Sequence, residues 1–154
     1  MADIKKCRSI RISVPRIIAA GIVYMIVSQI IHTLEAFGTM GYYLIPDYFQ
    51  VWSKIMMPGM GPPGAEFYYY SFGFALVAGI LFALVYALAG CCLPGSDMKR
   101  GAYYGFLIWL VAGIPSMLSL ILLVNLPWDL VGIWTIIGLV VYLINGALAA
   151  KIVK

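Results

Sequence analysis

Histidine occurs once in this chain of 154 residues, cysteine three times and acidic residues six times, and charged side chains make up only 10% of the total. Soluble globular domains carry about a quarter of their residues as charges, so a chain this poor in them does not fold in water as an ordinary domain. One imidazole excludes bis-histidine haem ligation and cannot supply a His-rich zinc or di-iron centre. No phosphate-binding glycine loop, serine elbow or HExxH pattern occurs, which removes the usual routes to nucleotide, acyl-transfer and metalloprotease chemistry. The composition implies no cofactor and no metal site of a defined type.

What fills the chain instead is apolar. Hydrophobic residues are 64% of it, and the mean hydropathy is +0.99. A membrane-spanning helix needs about 20 predominantly apolar residues. Four stretches qualify, at 15–37, 67–93, 101–124 and 128–152. Turns of a few residues join the second to the third and the third to the fourth, which forces antiparallel neighbours. The expected fold is a single all-α transmembrane domain over 1–154, a four-transmembrane-helix up-down-up-down bundle. The first stretch is longer than the ~7–15 apolar residues of a secretory leader and no convincing small-residue cleavage site follows it, so it reads as an uncleaved span.

The few charges are informative through their placement. Lys5, Lys6, Arg8, Arg11 and Arg16 precede the first span, Lys99 and Arg100 lie between the second and third, and Lys151 and Lys154 end the fourth. Lys54 alone falls on the other side. Cytoplasmic loops retain Lys and Arg, so both termini and the central turn are expected in the cytoplasm, with the protein in the inner or plasma membrane. Aromatic girdles agree: Phe67, Tyr68, Tyr69, Tyr70, Phe72 and Trp128 fall at the outer boundary, Tyr103, Tyr104 and Phe106 at the inner one. The net charge of +4 is spent at span ends, where anionic headgroups lie. The expected surroundings are the lipid bilayer, with no nucleic acid as partner.

The three cysteines, Cys7, Cys91 and Cys92, all map to the cytoplasmic side, where reducing conditions argue against structural disulfides. That placement leaves no outer-face pair for quinone-linked disulfide chemistry. Adjacent Cys91 and Cys92 suit a palmitoylation site or thiol sensor, or are ordinary small apolar residues at a helix end. Residues 69–80 (YYSFGFALVAGI) match residues 103–114 (YYGFLIWLVAGI) at eight of twelve positions. An inverted duplication of the kind found in secondary transporters would produce this. So would chance within a restricted alphabet, and the neighbouring spans do not extend the match.

The extramembrane outer segment, 38–66, carries Tyr48, Val51, Trp52, Ile55 and Met56 at helical spacing after Pro46 and Asp47. This predicts a short amphipathic helix from Asp47, as N-cap, to Met57, lying on the outer surface or over the bundle mouth. Pro58 and the glycine-proline run behind it stop the pattern.

Two constellations within the spans invite function. Small residues form stripes: Ala75, Gly79, Ala83 and Ala87 in the second span, Gly101 and Gly105 in the third, and Gly132, Gly138, Gly146 and Ala150 in the fourth. Such stripes let helix backbones approach closely, within the bundle or against another membrane protein or another copy. The polar patch of the first span is Ser28, Gln29, His32 and Glu35. His32 and Glu35 share a helix face, with Ser28 one turn behind His32. Measured from Arg16, His32 lies roughly 24 Å and Glu35 roughly 28 Å up the helix, near the outer boundary. An imidazole beside a carboxylate could relay protons there, or the carboxylate could simply reach water.

The remaining intramembrane polar groups, Thr135, Tyr142, Asn145, Ser116 and Ser119, are accounted for by interhelical hydrogen bonds and by the kink expected at Pro115. Met40, Met56, Met57 and Met60 lie in the outer segment, with His32 close by. Thioethers suit copper(I), and they equally suit adaptable apolar packing. The leading expectation is therefore a non-enzymatic accessory subunit or self-associating membrane module, partnered by its own copies or by another membrane protein. A small proton-coupled carrier or channel using Glu35 and His32 is the alternative, and a thiol enzyme built on Cys91 or Cys92 ranks third.

Overall fold

A computed structural model describes residues 13–57 and 62–153. Lys5, Lys6, Arg8, Arg11, Lys154, Cys7, Met60 and the run from Pro58 to Gly61 lie outside the described residues. Of the described residues, 84% are helical and none is in a strand. The helices are α1 (Val14–Gly38), α2 (Met40–Tyr43), α3 (Ala65–Ala89), α4 (Asp97–Ile108), α5 (Ile114–Leu123) and α6 (Trp128–Ile152). A 3-10 turn (Pro46–Val51) follows α2, another (Gly90–Cys92) extends α3, and a π-helical segment (Trp109–Gly113) joins α4 to α5. Four helical stretches are long and apolar enough to cross a membrane: Val14–Gly38, Ala65–Cys92, Asp97–Leu123 and Trp128–Ile152.

Local chemistry explains where these helices begin and end. Pro15 occupies the first turn of α1, where its missing N–H costs nothing. Glu66, Asp97 and Asp129 stand in the first turns of α3, α4 and α6, and Lys151 in the last turn of α6, each sign complementing the helix dipole. Between α3 and α4 the backbone turns sharply through left-handed conformations at Gly95 (φ 97°) and Asp97 (φ 44°). Arg100 locks that turn by donating from Nε (3.0 Å) and Nη2 (2.7 Å) to Gly95 O.

The helices meet through glycine. On α1 and α3, a Cβ added at Gly21 would lie 2.6 Å from Ile80 Cγ1, and one at Gly79 would lie 2.7 Å from Gly21 O and from Tyr24 Cβ. On α4 and α6, Gly101 abuts Gly146 and Ala150, and Gly105 abuts the Tyr142 carbonyl. In both pairs residue numbers rise along one helix as they fall along the other. Helix α1 also packs on α6, through Ser28 against Asn145 and Glu35 against Trp134. The small-residue stripes thus close the bundle itself: Gly79, Ala83, Ala87, Gly101, Gly105, Gly146 and Ala150 are buried, and Ala75 is half-buried. Gly132 meets nothing within 4 Å.

An aromatic cluster fills the remaining gap. Phe82 is its hub, with ring centroids 5.3 Å from Tyr24, 4.7 Å from Tyr104 and 5.9 Å from Tyr142. Tyr104 is 3% exposed, and its hydroxyl donates to Phe82 O at 2.8 Å. Its expected place in the inner girdle is therefore corrected. Tyr103 and Phe106 remain exposed, while Tyr104 points into the bundle because it shares a face with Gly101 and Gly105. The π segment precedes Pro115, whose ring and missing N–H disrupt the regular ladder. Ser116 Oγ donates to Ala112 O (2.6 Å), and Trp109 Nε1 ties the segment to Thr135 O on α6 (2.9 Å). The stretch matching it in sequence, within α3, is regular α-helix.

One further expectation changes. The helix predicted from Asp47 to Met57 is a 3-10 turn that ends at Val51, and Ile45 rather than Asp47 holds the N-cap position. Trp52 is extended instead, and its ring is drawn 4.8 Å from Tyr43 and 6.4 Å from Trp134, centroid to centroid. Cys91 and Cys92 lie in the turn that extends α3, with their sulfurs 3.8 Å apart, and Cys92 is exposed.

Candidate functional site

The polar residues of α1 divide between two faces. Ser28, 5% exposed, looks into the α1–α6 interface and accepts from Asn145 Nδ2 at 3.3 Å. Asn145 Nδ2 also donates to Val141 O (3.0 Å), while Asn145 Oδ1 is buried without a hydrogen-bond partner. Gln29, His32 and Glu35 instead line a cavity of about 560 Å³ at the opposite end of the bundle from Lys99, Arg100 and Lys151. The expectation that Ser28 belongs with His32 fails because its short side chain is sealed against α6.

Glu35 is held from two elements at once. Its carboxylate oxygen Oε1 accepts from Thr39 Oγ1 at 2.7 Å, one helical turn on, and from Trp134 Nε1 at 3.0 Å, on α6. The side chain is 6% exposed, so most of the carboxylate is turned away from water. The second oxygen is different. His32 Nδ1 lies 3.9 Å from Oε2, too far for a hydrogen bond, and among the described residues no other donor meets that oxygen. Glu35 is among the residues that line the cavity. One oxygen is thus tied into the scaffold and the other remains open. His32 itself is 51% exposed.

The walls of the cavity come from α1 and three further segments. Gln29 Nε2 donates to Ser71 Oγ at 2.6 Å, joining α1 to α3 where both line it. Helix α3 adds Phe67 and Tyr68, α2 adds Met40 and Tyr43, and the segment after the 3-10 turn adds Met56 and Met57. The Met56 N–H donates to Ser53 Oγ (3.1 Å), which shapes that approach. The Tyr43 phenol is held neutral above its ordinary pKa, first by burial and then by the negative charge of Glu35.

Three of the four outer-segment methionines and the imidazole therefore share one cavity. A copper(I) site would need their donor atoms to converge within bonding distance of a single point, and a space this wide suits a molecule better than an ion. Among the described residues no group of three His, Cys, Asp or Glu side chains could hold a metal.

Sequence reasoning singled out Gln29, His32 and Glu35 but not Thr39, Tyr43, Ser71 or Trp134. Thr39 could have been found, since it lies four residues after Glu35. Trp134 could not, since 99 residues separate it from the carboxylate it holds. No protein family, curated protein or solved structure matches this chain.

Proposed function

We propose that the protein is a small membrane carrier whose binding site is the Glu35 cavity, acting without enzymatic chemistry or a cofactor. The observation that supports this reading above all is the open Oε2 of a carboxylate that is otherwise buried and anchored. Charged groups inside spans are expensive to keep, and such a group next to an imidazole is suited to exchanging a proton for a solute. In this reading the four spans run up-down-up-down in the inner or plasma membrane. Both termini and the turn at Lys99 and Arg100 are cytoplasmic, and the cavity opens outward. The registers of the glycine contacts and the distribution of basic residues support that arrangement.

Proteoliposomes enclosing a pH-sensitive dye test the reading. Externally added solutes of the cavity's size should move protons through the wild-type protein and not through Glu35→Gln. Proton movement that survives the substitution would remove Glu35 from the mechanism.

One observation favours the accessory-subunit reading instead. No residue of α5 is buried, and Leu118, Leu122 and Leu123 are exposed along it. Lipid covers such a face by default, and a partner helix could replace it. Native mass spectrometry of gently extracted protein separates the readings: a defined complex with an unrelated membrane protein supports the accessory role, and a monomer or homo-oligomer supports the carrier.

A further inference from the structure

We infer that the cavity takes an organic monocation with an apolar body, a protonated or quaternary amine or its equivalent. This rests on the carrier reading and narrows it to a class of ligand. The charge argument comes first. Glu35 places one anion on the wall, and Lys and Arg are absent from the lining among the described residues. Two neutral donors occupy Oε1, while Oε2 has no donor among the described residues. A neutral ligand without a donor would strip water from Oε2 and give nothing back, one with a donor would return a hydrogen bond but leave the charge unbalanced, and an anion would be repelled. A small divalent cation demands several oxygen ligands and is reluctant to lose its hydration for one carboxylate. A diffuse organic charge loses little hydration and satisfies Oε2 by approach alone.

The remaining lining fits the rest of such a molecule. Tyr43, Phe67 and Tyr68 offer π faces that attract a cation, and Met40, Met56 and Met57 offer polarisable side chains that adapt to an irregular apolar body. The volume of about 560 Å³ lies within the range of roughly 300–1,000 Å³ typical of small-molecule sites. Phe37, Met40 and Leu44 combine exposure with a place on the cavity wall. That rim is apolar, so an amphiphile already concentrated at the lipid surface can enter directly. His32 is the one cationisable side chain beside Oε2, and at 3.9 Å and half exposed it can yield its place to the ligand.

Two ions of the same shape and opposite charge make the test sharp. Binding of tetraphenylphosphonium and of tetraphenylborate is measured to the full chain in nanodiscs, with empty nanodiscs as the background. The expected result is saturable binding of the phosphonium, weakened about tenfold or more by Glu35→Gln, and no saturable binding of the borate. Glu35→Gln keeps an oxygen acceptor for Thr39 and Trp134, and a thermal melt checks that it folds. Met57→Lys gives an independent route, since it puts a positive charge on the wall without touching Glu35, and it should also abolish phosphonium binding. Equal binding of both ions, or phosphonium binding indifferent to both substitutions, would overturn the cation assignment while leaving a ligand cavity in place. Absence of saturable binding by either ion would overturn the assignment and the carrier reading together.

Discussion

Glu35 shows how one side chain can be structural and available at once. Its Oε1 is locked by the hydroxyl of Thr39, the residue that caps its own helix, and by an indole from α6, while Oε2 has no donor among the described residues. Trp134→Phe keeps most of the ring but removes the indole donor. Since hydrogen bonds to charged groups contribute about 1.5–3 kcal/mol, the variant should melt earlier, and the loss should shrink when Glu35 is already Gln. A double-mutant cycle by thermal melting in nanodiscs measures that coupling. Ser28 and Asn145 allow the same test deeper in the bundle. Their shared hydrogen bond should be worth about 0.6–2 kcal/mol, so Ser28→Ala and Asn145→Ala together should cost less than the sum of the two alone.

At the level of helices, glycine determines how close each pair comes. A Cβ at Gly105 would drive into the Tyr142 carbonyl, which belongs to the backbone and cannot rotate away, whereas Gly132 faces open space. Gly105→Ala should therefore destabilise the bundle by about 1–3 kcal/mol or more, and Gly132→Ala, which adds helix propensity without a clash, should hold or raise its melting temperature. If Gly132→Leu instead disrupts a larger assembly while the monomer stays folded, that face of α6 docks a partner. The π segment before Pro115 interrupts the regular ladder of the third span. Hydrogen exchange should accordingly be faster across Trp109–Gly113 than in the middle of α6, and equal protection in the two would argue against a locally weakened span.

For the molecule as a whole, the question is which end faces which compartment. Arg16, Lys99, Arg100 and Lys151 gather at one end of the bundle, and Lys54 and the Glu35 cavity at the other. In a variant lacking the native cysteines, Lys54→Cys and Lys99→Cys should react with a membrane-impermeant maleimide from opposite sides, with Lys54→Cys labelled in intact cells. Labelling of Lys99→Cys in intact cells would reverse the proposed orientation and turn the cavity inward.

The four helices long and apolar enough to cross a membrane and the gathering of basic residues at one end were legible in the sequence alone. Hydropathy and charge act locally along the chain, and a stretch of about 20 apolar residues has no alternative to a helix in lipid. The polar patch on α1 was also legible, because His32 and Glu35 lie on the same helix face at three-residue spacing. Tertiary structure decided what each member of that patch does. Ser28 was sealed by Asn145, 117 residues away, Gln29 was tied to Ser71, 42 away, and Glu35 was buried by Trp134, 99 away. The same holds for Tyr104, which reads as a girdle residue until the bundle sets its ring against Phe82 and Tyr86 of α3, and for Trp52, which left an amphipathic pattern to pack between Tyr43 and the edge of Trp134. Those outcomes depend on which helix faces meet, and no local signal along the chain carries that information.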